Sequence, residues 1–166
     1  METKAILVLW LMLMTFFVTA AGQQTAEDWN AVGVALIQQN QYNESLRAFD
    51  KATQINPQYA EAWNNKGIAL SMQGRLDEAI MAFDNATRIN PRYATAWNSK
   101  GNALGIQGKL AEAVMAFDKA IEIDPKYVKA WDNKGLALKL LGRIAESEAA
   151  YAKAKELAHR DQSDFM

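Results

Sequence analysis

Four tryptophans, Trp29, Trp63, Trp97 and Trp131, stand 34 residues apart, and no other feature of the chain restricts its fold so strongly. Gly33, Gly67, Gly101 and Gly135 keep the same step, as do Leu36, Leu70, Leu104 and Leu138. Ser45, Ala79, Ala113 and Ser147 follow, then Phe49, Phe83, Phe117 and Tyr151, then Ala52, Ala86, Ala120 and Ala154. Pro57, Pro91 and Pro125 close the first three units. A period kept over this many rows builds a solenoid of small identical units.

Inside a unit the spacing predicts helix, turn, helix. In the second unit Trp63, Gly67 and Leu70 fall on one helical face. Gly74 ends that helix, because glycine accepts left-handed backbone cheaply. Gly108, Gly142 and, in the first unit, Asn40 hold the same place. Leu76, Ala79, Phe83 and Ala86 line one face of a second helix, with Asp77 and Glu78 in its first turn, where the helix dipole favours negative charge. Asn90-Pro91 stops it, since a residue before proline avoids helical backbone. Proline also suits the start of the next helix. The small rows let paired helices approach closely while Trp63 and Phe83 fill the space around them. One pair cannot bury those aromatics alone, but four stacked pairs can.

Arrays need polar outer faces. Leu46, Ile80 and Val114 are expected to face the following unit, and Glu148 stands in their place in the fourth. Thr53, Thr87 and Ile121 give way to Lys155, and the proline row ends in His159. This predicts an array that caps itself at four units, with a last helix reaching about Arg160. A lone solvated histidine without partners is no catalyst.

The N-terminus carries a separate signal. Residues 1–4 lead into an apolar run from Ala5 to Ala21, and no charge returns until Glu27. Val18 with Ala20, or Ala20 with Gly22, supplies a small-x-small exit, as in a secretory signal. The run is also close to the length of one membrane span. Residues 1–22 are therefore read as a cleaved signal peptide or a single-span membrane anchor, with a buried helix of the globular part as the third reading. The first two agree on side. Lys4 precedes the run while Glu27 and Asp28 follow it, which leaves the rest of the chain outside. The expectation is an exported protein, extracellular or in the cell envelope, touching membrane only through residues 5–21 if these are uncleaved.

The 166 residues carry a formal net charge of −1, no cysteine and one histidine. Nucleic-acid binding needs a basic excess, so no nucleic-acid partner is expected. Zinc and iron–sulfur sites need clustered thiolates or imidazoles, and disulfides need cysteine pairs. No metal and no cofactor are expected. The run Gly101 to Gly108 has neither the spacing nor the preceding strand of a phosphate loop. No histidine–serine or cysteine dyad exists for nucleophilic catalysis, so no enzyme is expected. Two Asn-x-Ser/Thr triplets make Asn43 and Asn85 candidate glycosylation acceptors.

In its Trp, Gly, Ala, Phe, Ala and Pro rows the chain resembles the tetratricopeptide repeat family from Ala26 to about Asp161. The resemblance implies an all-α fold, a right-handed α-solenoid of eight helices. Its units would be residues 26–59, 60–93, 94–127 and 128–161, followed by a tail at 162–166. One departure is the row Lys66, Lys100 and Lys134, where the family more often has leucine; Val32 keeps the apolar form. These lysines are expected to lay their stems along the core edge and send the ammonium outward, the alternative being a basic stripe for an acidic partner.

The resemblance also implies peptide binding along the concave surface formed by the first helix of each unit. Helical phase at ~100° per residue then selects the lining. Asn30, Asn64, Asn98 and Asp132 form one row, and Val34, Ile68, Asn102 and Leu136 the next. Ile37, Met72, Ile106 and Leu140 follow one turn on. An amide ladder beside an apolar strip would suit an extended peptide, because asparagine both donates and accepts and methionine adapts to varied shapes. One subgroup of the family clamps chaperone C-terminal carboxylates with two lysines, two asparagines and an arginine. The matching sites here are Asn30, Val34, Asn65, Thr95 and Ser99, of which only Asn65 fits. One unit on they are Asn64, Ile68, Ser99, Lys129 and Asn133, of which only Lys129 fits. That activity is not expected. The function expected is a monomeric, non-catalytic scaffold for a peptide or protein partner. A self-assembling structural subunit of a cell-envelope complex is the alternative.

Overall fold

A computed structural model of the chain describes residues 24–163, with side chains through residue 160. Eight helices occupy the described residues: α1 (Ala26–Gln38), α2 (Tyr42–Ile55), α3 (Ala60–Met72), α4 (Leu76–Ile89), α5 (Ala94–Ile106), α6 (Leu110–Ile123), α7 (Val128–Leu140) and α8 (Ile144–Ser163). Successive pairs make four stacked units, as the period requires. The reading of residues 1–22 as signal or anchor lies outside the described residues. No described helix is long and apolar enough to cross a membrane.

The turn chemistry follows the sequence. Gly74, Gly108 and Gly142 have φ of 73°, 77° and 75°, and Asn40 takes the same left-handed place at 58°. Among the described residues, only there does the backbone need a residue that tolerates positive φ. Between units the proline lies in the turn, three residues before the helix it was expected to open. The preceding residue, Asn56, Asn90 or Asp124, is extended, and its side-chain oxygen accepts the backbone N–H two residues on. The indole N–H of Trp63, Trp97 and Trp131 then donates to the carbonyl of Pro57, Pro91 and Pro125, each at 3.0 Å. Those tryptophans are half-buried, serving as latches across the turn as well as packing.

The small rows mark where helices touch. A Cβ added to Gly67 would lie 2.6 Å from Cε1 of Phe83, and one on Gly101 2.5 Å from Cε1 of Phe117. Phe49, Phe83 and Phe117 are buried, as are the alanines around them. The core forms two clusters. One holds Leu46, Phe49, Leu70 and Phe83; the other holds Leu104, Val114, Phe117 and Leu138. Ile80 packs against both. On the last unit Glu148, Lys155 and His159 are exposed, and α8 runs three residues past the expected end at Arg160.

The lysine row has a definite role. Lys66, Lys100 and Lys134 pair with Asp50, Asp84 and Asp118 of the preceding unit at 2.7, 2.6 and 2.6 Å. Each ammonium also lies 5.2–5.4 Å from the centroid of Trp63, Trp97 or Trp131. Each lysine is thus spent within the stack, on an aspartate and a ring. The first unit has Val32 in the lysine row, and Lys51 covers Trp29 instead, at 3.8 Å. The fourth has Ala152 in the aspartate row.

Candidate functional site

The candidate site is the face built by the first helix of each unit, α1, α3, α5 and α7. The structure divides the residues selected from helical phase into two sets. Asn30, Asn64 and Asn98 are buried, at 5%, 2% and 6% exposure, so they are not free rungs of a ladder. A phase calculation treats one helix alone, whereas here the following unit covers the row. Asn65 donates its amide N–H to Asn30 Oδ1 at 3.0 Å, and Asn133 does the same to Asn98 Oδ1 at 3.0 Å. Asn30 Nδ2 in turn lies 3.3 Å from both the Tyr59 hydroxyl and Glu61 Oε1. The amides bind unit to unit. Asp132, in the last described unit, is exposed.

The apolar rows behave differently. Val34, Ile37 and Ile68 are half-buried and pack against the first core cluster. Met72, Ile106, Leu136 and Leu140 are exposed, at 58%, 70%, 51% and 62%. Asn102 is exposed beside them. Ile106, Leu136, Leu140 and Asn102 come together around a groove of about 380 Å³ between α5 and α7, floored by Gly105, Leu110 and Phe117. Gly105 opens its wall, in a row where the other units carry Ile37, Ser71 and Lys139. Large apolar side chains gathered around a concavity, instead of scattered, mark an interaction site. A hollow of about 580 Å³ lies beside Gln24, Trp29, Ile55 and Asn56.

The junction between units 2 and 3 breaks the amide pattern. Ser99 stands where Asn65 and Asn133 stand, and its shorter side chain supplies no amide. Asn64 Oδ1 is left buried with no donor among the described residues. Gln107 Nε2 crosses the same junction to Asp77 Oδ1 at 2.8 Å, while its Oε1, like Ser71 Oγ, is buried without a partner among the described residues. Burial raises the Tyr93 phenol above its ordinary range, helped by Glu61 and by Tyr59 and Tyr127. Tyr59 is raised by burial, Glu61 and Glu27. Both phenols therefore stay neutral donors over a wide pH range. Sequence reasoning missed Tyr59, Tyr93, Glu61 and Ser99. The same 34-residue step marks the tyrosine row, but helical phase from tryptophan placed the search one face away.

Among the described residues no group of three acidic or histidine side chains is arranged to hold a metal ion. The candidate acceptors lie on second helices, away from the groove. Asn43 is exposed and its Oδ1 accepts from Gln73 Nε2; Asn85 is half-buried and accepts from Arg88.

Paired helices, a glycine opposite each ring and latched turns define a helical-repeat solenoid. Tetratricopeptide repeat profiles match residues 33–74, 60–93, 94–127 and 116–164, and the chain belongs to the tetratricopeptide repeat family. Among solved structures it is similar to a crystal structure of MamA, with 25% identity over 88% of this chain and 85% of that one, TM-score 0.80. A second MamA crystal structure is 25% identical over 88% of this chain and 80% of that one, TM-score 0.76. MamA from residue 41 to its end, from Desulfovibrio magneticus RS-1, shares the fold at 22% identity over 83% and 78% of the two chains, TM-score 0.75. No curated protein sequence matches the chain. Family and fold together indicate a protein–protein interaction scaffold.

Proposed function

We propose that this chain is a non-catalytic scaffold that holds a peptide or protein segment in the groove between α5 and α7, on the outer side of a membrane. The observation that carries the reading is the cluster of exposed Ile106, Leu136 and Leu140 around an open concavity. Each is more than half exposed, so burial in the core does not account for its apolar character. The outward placement rests on the apolar run before Glu27 and the charges on either side of it.

The test is Ile106→Asp with Leu140→Asp. Both side chains are exposed, so the fold should survive, as a circular dichroism melt will check. Binding of the partner recovered from extracellular and membrane extracts, titrated in purified form, should fall by more than tenfold, from loss of ~2 kcal/mol of apolar contact. Unchanged affinity removes the groove from the reading. Exposed Met81 and Met115, on the outward sides of α4 and α6, favour the second reading, a self-assembling envelope subunit. That reading expects sedimentation to show concentration-dependent association untouched by the two groove changes.

A further inference from the structure

All but one of the described glycines have a reason in the fold. Gly33, Gly67, Gly101 and Gly135 each face an aromatic ring that a Cβ would strike, and Gly74, Gly108 and Gly142 take positive φ. Gly105 does neither. It lies in the last turn of α5, and a Cβ there would meet only Ala113 Cβ, at 3.9 Å. A helical glycine is less stable than alanine, and nothing in the packing of the stack requires one here. What Gly105 does is open the wall of the α5–α7 groove.

The repeat shows what fits that opening. The same position in unit 1 is Ile37, which is half-buried and packs with Val34 and Ile68 against the cluster that holds Phe49 and Ala69. One 68-residue step on, Val34, Ile68, Phe49 and Ala69 become Asn102, Leu136, Phe117 and Ala137, and these line the open groove. Units 1 and 2 thus fill the place with the chain's own branched aliphatic side chain, whereas units 3 and 4 leave it open.

We propose that the α5–α7 groove takes one aliphatic side chain of the bound segment, of isoleucine or leucine size, seated on Gly105 where Ile37 sits in unit 1. This rests on the groove reading above and names the residue type that anchors the segment. Without a Cβ, Gly105 lets the incoming side chain reach the α5 backbone and Phe117, while Ile106, Leu136 and Leu140 close around it. A charged side chain in the same place would lose water from its polar end against Leu110, Phe117 and Leu136. Exposed Asn102, where unit 1 has Val34, both donates and accepts, which suits the segment's backbone beside the anchor. Gly105 is thereby a specificity-determining residue.

Peptides selected from a displayed random dodecapeptide library on the immobilised full-length chain provide the probes. They should share one Ile, Leu or Val whose replacement by alanine weakens binding about tenfold or more. Gly105→Ala should weaken them a few-fold, and Gly105→Ile, which supplies the side chain from within, about tenfold or more. Gly105→Ala should also raise the urea midpoint, since it replaces a helical glycine without a close neighbour, so its loss of binding is not unfolding. If the peptides bind Gly105→Ile as tightly as the native chain, or their Gly105-sensitive residue is aromatic or polar, this inference is overturned. Sensitivity to Ile106→Asp with Leu140→Asp then leaves the groove standing. If they ignore all of these changes, or no peptide is selected, both readings fall.

Discussion

Replacing Gly101 by alanine isolates the cost of a close helix approach in the stack. The added Cβ would lie 2.5 Å from Cε1 and 2.7 Å from Cδ1 of Phe117. Carbon atoms in contact prefer about 3.5–4.0 Å, so roughly 1 Å must be found. Phe117 cannot easily yield it, because its buried ring is enclosed by Leu104, Ala113, Val114 and Leu138. Overpacking of this kind costs about 1–3 kcal/mol. Alanine returns ~1 kcal/mol of helix propensity, which blurs the single measurement. Gly105→Ala removes that ambiguity. It lies one turn on in the same helix, and its Cβ would meet only Ala113 Cβ, at 3.9 Å. Propensity is common to both variants, so their difference is the overpacking cost itself, about 1–3 kcal/mol. Urea denaturation followed by circular dichroism gives that difference from the midpoints, provided the slopes agree. Phe117→Leu should relieve part of the Gly101→Ala penalty, a coupling that a double-mutant cycle reads directly. Equal stability of the two alanine variants would refute the packing argument, as would strict additivity with Phe117→Leu.

Three further outcomes are expected. Ser99→Asn should complete the amide contact that units 1–2 and 3–4 already have, raising stability by about 0.5–1.5 kcal/mol in the same urea assay; a loss would mean that Asn64 does not face position 99. The alkaline limb of stability should depend on Tyr93, because its folded pKa is raised by burial and Glu61. The folded state holds the phenolic proton longer than the unfolded chain does, so the contribution is complete below the ordinary tyrosine range and is lost as pH rises through the folded pKa. Tyr93→Phe should flatten that decline in melts taken from pH 8 upward. Asp84→Asn removes the partner of Lys100 at a site where the carboxylate is half exposed. Its cost should stay within about 1 kcal/mol and shrink in high salt, as thermal melts at two salt concentrations will show.

The repeat made most of the fold legible before any coordinates. A 34-residue step names the helices, the left-handed turn residues and the rows that bury, because every unit solves the same packing problem with the same side chains. Gly67 opposite Phe83 and Gly74 in the turn follow from the chemistry of glycine alone. The departures are as local as the rules: proline moved into the turn because the extended residue before it and the tryptophan latch together fix the chain there.

Function was less legible, since it depends on how units curve past one another. Helical phase on one helix puts Asn30, Asn64 and Asn98 on an open face, yet the next unit covers them and turns the row into cross-unit bonds. Nothing in the spacing marks the lysine row as paired backward to the aspartates, although Val32 and Ala152 at the two ends are consistent with it once the pairing is seen. Sequence determined the unit, its caps and its buried rows, because these rest on contacts within 34 residues. Only the tertiary structure decided which polar rows are consumed between units and which apolar ones, Ile106, Leu136 and Leu140, stay open, because that depends on the offset of one helix pair against the next.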